Sequence, residues 1–290
     1  MNIPLDKIIV LVLLLISLKT KAQYDNLFYF NANKAYEFAL MDKYDSSIIV
    51  YERNFKKVNF IQSKYLHVMI KLANKTDNDS LRTKYENILE KQKQATNPKI
   101  KKVIDSLIIL DQRPRRNLLN GRASKFVYKC KSNNEYDKNR SRYLRAKKRV
   151  DRWKKQDEAL VEKLLELFKE YGFIGEELVG FERYLNIFAM LLHFDTDTNN
   201  KVLSPILLKA IDDGKIWPIH AAQIIDRHTE GGIHKQTYWT LIGESDKKFD
   251  FTESDIPVII KKRESFGIYG SKIEQVQRNC KWVLKLSSHK

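Results

Sequence analysis

Residues 33–58, NKAYEFALMDKYDSSIIVYERNFKKV, decide the class of fold. Small and aromatic side chains recur there at steps of three and four, the period that places them on one face of an α-helix. Ala35, Phe38, Ala39 and Met41 mark a first helix. Tyr44, Ser47, Ile48, Tyr51 and Phe55 mark a second. Met41-Asp42-Lys43 is the turn between them, so the pair forms a helical hairpin. Helices over roughly 60–73 and 79–94 are expected to pack beside it.

Downstream, the pattern stays helical. Asn97-Pro98 within ATNPKI (95–100) breaks the preceding helix, because the residue before a proline is held extended. A boundary placed there separates a helical region, 23–95, from a second helical domain, 100–290. The segment KNRSRYLRAKKRVDRWKK (138–155) holds ten Lys or Arg against one Asp. It runs into a stripe of Trp153, Leu160, Leu164, Leu165, Phe168 and Tyr171, which Gly172 should stop. EELVGFERYLNIFAMLLHF (176–194) is apolar nearly all round and predicts one central buried helix. SPILLKAIDDG (204–214) predicts a helix capped by Ser204, with Pro205 at its first position. WPIHAAQIIDRHTEGG (217–232) repeats that logic. TYWTLIG (237–243) is the best strand candidate. SDIPVIIKKRESFGIYG (254–270) and SKIEQVQRNCKWVL (271–284) read as closing helices. The expected class is therefore mainly α, with helical hairpins first, a helical domain after them, and at most a small β-hairpin.

The amino terminus supplies an address. Lys7 precedes an unbroken apolar run, Ile8 to Ile16, and Thr20 and Ala22 follow at the spacing of a signal-peptidase site. The run is about half of the ~20 residues a membrane span needs. Residues 1–22 are read as a secretory signal, with Gln23 leading an exported chain that is periplasmic or extracellular, soluble or peripherally bound. Export changes the meaning of the net charge of +17. It counts against nucleic acid and favours a protein or an anionic envelope partner: a membrane surface, a cell-wall polymer or an acidic protein. Arg142, Arg145, Lys148 and Arg149 in the basic run, and Tyr238, are the candidate binding residues. The same run also reads as the solvated outer face of a long helix. Cys130 and Cys280 would share an oxidising compartment, where they form one disulfide or remain two buried thiols.

One polar stretch invites a catalytic reading: HAAQIIDRHTEGGIHKQTYW, residues 220–239. A metal site wants three or four ligands at workable spacing, and neither H-E-x-x-H nor a cysteine pair is present. His220 and Asp226 are six apart, a rotation of about 240° on a regular helix, so they cannot serve one ion. No metal or cofactor is expected. A metal-free acid–base site is the alternative. His193 would be the base, Asp226 its orienting partner, Arg227 or Arg263 the clamp on an anionic substrate, and Gln236 a further polar contact. No Ser or Cys stands in a nucleophile motif. The competing reading makes these residues the polar ties of a helical core, with function on a surface groove.

Two resemblances follow from these residues. The hairpin, above all YDSSIIVYERNF, resembles one tetratricopeptide-type helix pair, without that family's Gly and final Pro. Residues 105–270 resemble a bacterial family catalogued as domain of unknown function 6624. Its ordered motifs are met by Asp111, Gln112 and Arg115; by Tyr171-Gly172 and Val179-Gly180; and by His193 and Asp195, with Leu192 in place of a Gln. They continue with Asp226-Arg227, then with Gln236, Tyr238 and Thr240, where Trp239 and Leu241 replace a Gly and a Gln. They close with Arg263 ahead of Gly267-Ile268. The resemblance implies a mostly helical, often exported domain with no established activity. The leading expectation is a binding or interaction module of the cell envelope, and the alternative is a hydrolase-like enzyme around His193, Asp226, Arg227 and Gln236.

Overall fold

The computed structural model describes residues 25–132, 140–193, 199–227, 229, 236–238, 240 and 253–269. Every regular element among them is helical, so the fold is mainly α. In chain order they are α1 (Asn26–Leu40), α2 (Tyr44–Phe55), α3 (Ser63–Lys75), α4 (Asp79–Gln94), α5 (Pro98–Arg115) and α6 (Leu118–Ser132). Then come α7 (Arg140–Tyr171), the single-turn α8 (Glu176–Val179), α9 (Phe181–His193), α10 (Asn199–Asp212), α11 (Pro218–Arg227), a 3₁₀ turn (Glu253–Asp255) and α12 (Ile256–Ser265).

The quoted hairpin forms as the spacing requires. α1 and α2 pack antiparallel, and Asp42 takes φ +56 in the turn, a left-handed setting that Asp tolerates better than bulkier residues. Ser47 Oγ donates to the Ala35 carbonyl at 2.7 Å, and Asn54 Nδ2 to the Phe28 carbonyl at 2.9 Å, so two buried polar groups lock the helices together. The buried face of α1 differs from the sequence expectation. The helix starts seven residues earlier, capped by Asp25, and buries Phe28, Tyr29, Ala32 and Ala35, leaving Met41 59% exposed. The second pair, α3 and α4, matches its predicted spans closely. Asn97 caps α5 by accepting from the amides of Lys99 and Ile100, with Pro98 at the first helical position, where its missing N–H costs nothing.

Two predicted helices are redrawn. The apolar stretch 176–194 is two elements, because Gly180 adopts φ +84 and ends α8. Only one face of α9 is fully buried: Tyr184, Ile187, Met190 and Leu191 recur at three- and four-residue steps. α10 begins at Asn199, not at Pro205. The proline is exposed, so the Lys201 carbonyl that it leaves without a helical donor lies on the solvent side. Of the stripe predicted on α7, Leu160, Leu164 and Phe168 are buried, whereas Tyr171 is 41% exposed. Gly172 ends that helix at φ +71. The signal segment 1–22, the closing helix 271–284 and most of the strand candidate lie outside the described residues. Among the described residues, no helix is long and apolar enough to cross a membrane.

Side chains from both sides of Asn97 enter one hydrophobic core. Buried polar bonds cross the same divide. Tyr29 Oη donates to the Ile211 carbonyl at 3.2 Å, Gln62 Nε2 to the Gly214 carbonyl at 2.9 Å, and Asn97 N–H to the Leu178 carbonyl at 2.8 Å. Ser63 donates its amide, at 2.8 Å, and its hydroxyl to Glu176 Oε1.

The neighbouring Glu177 gives a pH signature. Burial pushes its carboxyl from 4.5 up to about 7, with Lys215 pulling it partly back and Glu176 and Asp213 adding repulsion. Between those pH values the folded chain holds a proton that the unfolded chain releases. The stabilisation is complete below the unfolded value and is lost as pH rises through about 7. In thermal melts, Glu177→Gln should therefore match wild type near pH 4 and melt several degrees above it near pH 8.

Candidate functional site

Asp226, at the penultimate position of α11, is fully buried. Its Oδ1 accepts from the Tyr238 amide at 2.7 Å. Its Oδ2 accepts from the Thr240 amide at 2.8 Å and the Thr240 hydroxyl at 2.7 Å. Burial raises its carboxyl above the usual range, and the donors of Tyr238 and Thr240 oppose that rise. Arg263, on α12 and 2% exposed, donates Nη1 to the Tyr238 carbonyl at 2.9 Å. One short loop segment thus has its amides held by a carboxylate and a carbonyl held by a guanidinium. The Tyr238 ring packs on Phe266 at 4.3 Å, and Gln236 is buried in the same segment. Gly267 follows at φ +80, and a Cβ there would sit 2.9 Å from the Tyr29 ring, so only glycine lets α12 turn against α1.

The structure brings Asp226 and Arg263 of the predicted acid–base site onto Tyr238, a predicted binding residue, two positions after the buried Gln236. Arg227 is exposed on the outer side of α11. His193 is the last residue of α9, and its side chain, like His228 and His234, lies outside what is described. His220 turns away from Asp226, as their spacing requires. Its ring stacks on Phe188 at 4.0 Å and on Trp217 at 4.6 Å, and Nδ1 lies 2.8 Å from Tyr184 Oη. Burial drives the Tyr184 hydroxyl upward, while it accepts from the Trp217 amide at 3.1 Å. Among the described residues, no group of three or more His, Cys, Asp or Glu comes together as metal ligands.

The second constellation lies on α5 and α7. Arg115 donates Nη1 and Nη2 to the two carboxylate oxygens of Asp157, at 3.0 and 3.2 Å, and reaches Asp111 Oδ1 at 3.1 Å. Gln112 Nε2 donates to Asp111 Oδ2 at 2.8 Å. The Asp111, Gln112 and Arg115 motif is therefore a partly buried charge network joining two helices, with the guanidinium 5.5 Å from the centre of the Trp153 ring. Beyond it, Arg142, Arg145, Lys148 and Arg149 are exposed on the first half of α7. Arg142 lies over the Phe126 ring at 4.5 Å, and Arg149 Nη1 reaches Asn120 Oδ1 at 3.5 Å.

A cavity of about 450 Å³ opens between α5, α6 and α7. Sequence reading singled out only Arg149 there as a binding residue. Arg152, Gln156 and Lys163 share its helical face at three, seven and fourteen residues on, a polar periodicity that would have exposed them, whereas Trp153 belongs to the apolar stripe of the same helix. Arg113 and Asn117 join the lining from the end of α5 and the turn after it, where no sequence period points to them. No family model, no curated protein and no solved structure matches the chain.

Asp226→Ala would leave two amides and a hydroxyl without their acceptor, each costing about 1–3 kcal/mol where buried. A loss of at least 5 °C in melting temperature, on the order of 2–4 °C per kcal/mol for a chain of this size, is the expected outcome. Arg227→Ala, on the exposed side of the same helix, should melt within about 1 °C of wild type.

Proposed function

We propose that this chain is an exported binding module of the cell envelope that meets an anionic partner through the basic face of α7. The observation that carries the reading is the division of labour among its polar residues. Two members of the predicted acid–base site, the orienting Asp226 and the clamp Arg263, are buried and engaged in holding Tyr238 and Thr240. Arg142, Arg145, Lys148 and Arg149 of α7 stand in solvent. A buried carboxylate with three donors on it is a structural tie, not a base waiting for a substrate. The leader-like residues 1–22, the net charge of +17 and the resemblance to an often exported helical family point the same way. The tetratricopeptide-like hairpins supply a second surface suited to a protein partner.

Exposed lysines and arginines attract an anionic surface over about a Debye length, ~8 Å at physiological salt. Sedimentation of the full chain with vesicles of phosphatidylglycerol and phosphatidylcholine, against phosphatidylcholine alone, tests the reading. Binding should need the anionic lipid, weaken as salt rises, and fall by roughly tenfold or more in Arg142→Glu/Arg145→Glu/Lys148→Glu, about 1 kcal/mol per charge near a surface. Binding that ignores both salt and these substitutions removes the proposal. Amino-terminal sequencing of exported protein should begin at Gln23.

A further inference from the structure

We infer that the cavity between α5, α6 and α7 is a binding site for an anionic sugar unit, a carbohydrate ring carrying a carboxylate or a phosphate. The inference rests on the envelope-binding reading above and names a ligand class for the inner end of that basic face.

Charge comes first. Arg113, Arg149, Arg152 and Lys163 all line the cavity, and among the described residues no carboxylate does. Asp157 and Asp111 lie outside this lining, and both face Arg115. Four cations around one concavity repel each other, and they lower that cost by sharing an anion. Two of them are guanidiniums on successive turns of α7, a forked geometry that matches the oxygens of a carboxylate or phosphate.

Size and lining then point to a ligand larger than a bare inorganic ion. About 450 Å³ falls in the range of small-molecule sites, roughly 300–1,000 Å³, far more than one phosphate fills. Trp153 contributes an aromatic wall, held in place by the Arg115 guanidinium beside it. An aromatic ring presents a flat apolar surface to the C–H face of a sugar. Gln156 brings a carboxamide, and Asn117 adds its Nδ2, its Oδ1 being held by the Leu119 amide, while Asn120 bonds the Pro114 carbonyl and Arg149; amides donate and accept and so suit a ring of hydroxyls. Cations for the acid group, an aromatic wall for the ring and amides for the hydroxyls are the three requirements of this ligand class.

Calorimetric titration of the full chain tests it, with four probes: trigalacturonate, glucose 6-phosphate, maltotriose and inorganic phosphate. At least one of the two anionic sugars should bind about tenfold or more tighter than either maltotriose or inorganic phosphate, and whichever binds identifies the acid group as carboxylate or phosphate. Arg152→Ala/Lys163→Ala, both exposed positions, should keep the wild-type melting temperature and lose that binding by about tenfold or more. Trp153→Phe keeps every charge and should weaken the sugar while leaving inorganic phosphate unchanged. Inorganic phosphate binding as tightly as the sugars, sugar binding that survives the double substitution, or adenosine diphosphate outcompeting both sugars would each overturn the inference. Arg142→Glu/Arg145→Glu/Lys148→Glu separates the two readings. Vesicle binding lost with sugar binding kept isolates the surface. Sugar binding absent from a wild-type chain that still binds anionic vesicles sinks the cavity and leaves the envelope reading standing.

Discussion

The carboxylate of Glu176 at the amino end of α3 is the constraint on which the arrangement of helices depends. The first turn of any helix has amides with no partner in the helix, and its dipole favours negative charge there. Ser63 opens α3 with its amide and hydroxyl both on Glu176, a residue 113 positions away and 5% exposed. Burial drives that carboxyl upward, while the Ser63 donors and Lys64 draw it back. One residue earlier, Gln62 reaches the Gly214 carbonyl. The hairpins before Asn97 are thus registered against α8 and the α10–α11 turn by directional bonds in a dry interior, where a misplaced polar group is costly. This also explains why a four-residue helix matters. α8 exists to present Glu176, and Gly175 lets it approach, since a Cβ there would lie 2.5 Å from the Lys215 carbonyl.

α7 translates that frame into a surface. At 32 residues it extends about 48 Å, and its two ends do different work. The carboxyl-terminal half buries Leu160, Val161, Leu164 and Phe168 in the core. The amino-terminal half leaves the core and lies against α6, so most of its cations face water. Arg115, bridging to Asp157 near the midpoint, fixes how α7 crosses α5. Arg183 to Asp105, at 2.7 and 2.9 Å, does the same for α9. A rigid, anchored bar carrying exposed charge holds those charges in a fixed pattern, which a flexible basic tail cannot do.

Much of this was legible in the residues. The turn at 41–43, the α3 and α4 spans, Asn97-Pro98 as a helix break and Gly172 as a stop all follow from local stereochemistry, which sequence carries directly. The errors came where tertiary contacts choose among local options. Gly180 in an apolar run reads as a tolerated helical glycine until Asn97 is seen bonding the Leu178 carbonyl beside it. Asp226 and Arg227 are adjacent in sequence, yet α11 buries one and exposes the other, because one residue step turns about 100° around the helix. The partners of Asp226 lie 12 and 14 residues on, in a segment with no period of its own. The roles of Arg113 and Asn117 depend on how α5 and α6 meet α7, and no single helix encodes that.

The distribution of acids explains why the positive charge of the chain has local meaning. A basic chain can still present a neutral surface if each cation finds a carboxylate, as Lys84 does on Glu52 and Lys147 on Asp151. Around the α5–α7 crossing the opposite holds. Asp111 and Asp157 both converge on Arg115, which presses its face toward Trp153 and is withdrawn from solvent. Both carboxylates are turned to that guanidinium, and among the described residues the cavity lining carries cations and no acid. Partly buried pairs of this kind contribute little net stability but set geometry firmly, because breaking one leaves an uncompensated charge. Arg115 locks α5 to α7 and packs beside Trp153, so it also positions the aromatic wall of a concavity whose positive charge comes from Arg113, Arg149, Arg152 and Lys163. Structure and binding chemistry at this crossing are one arrangement, and loosening the Arg115 network would degrade both together.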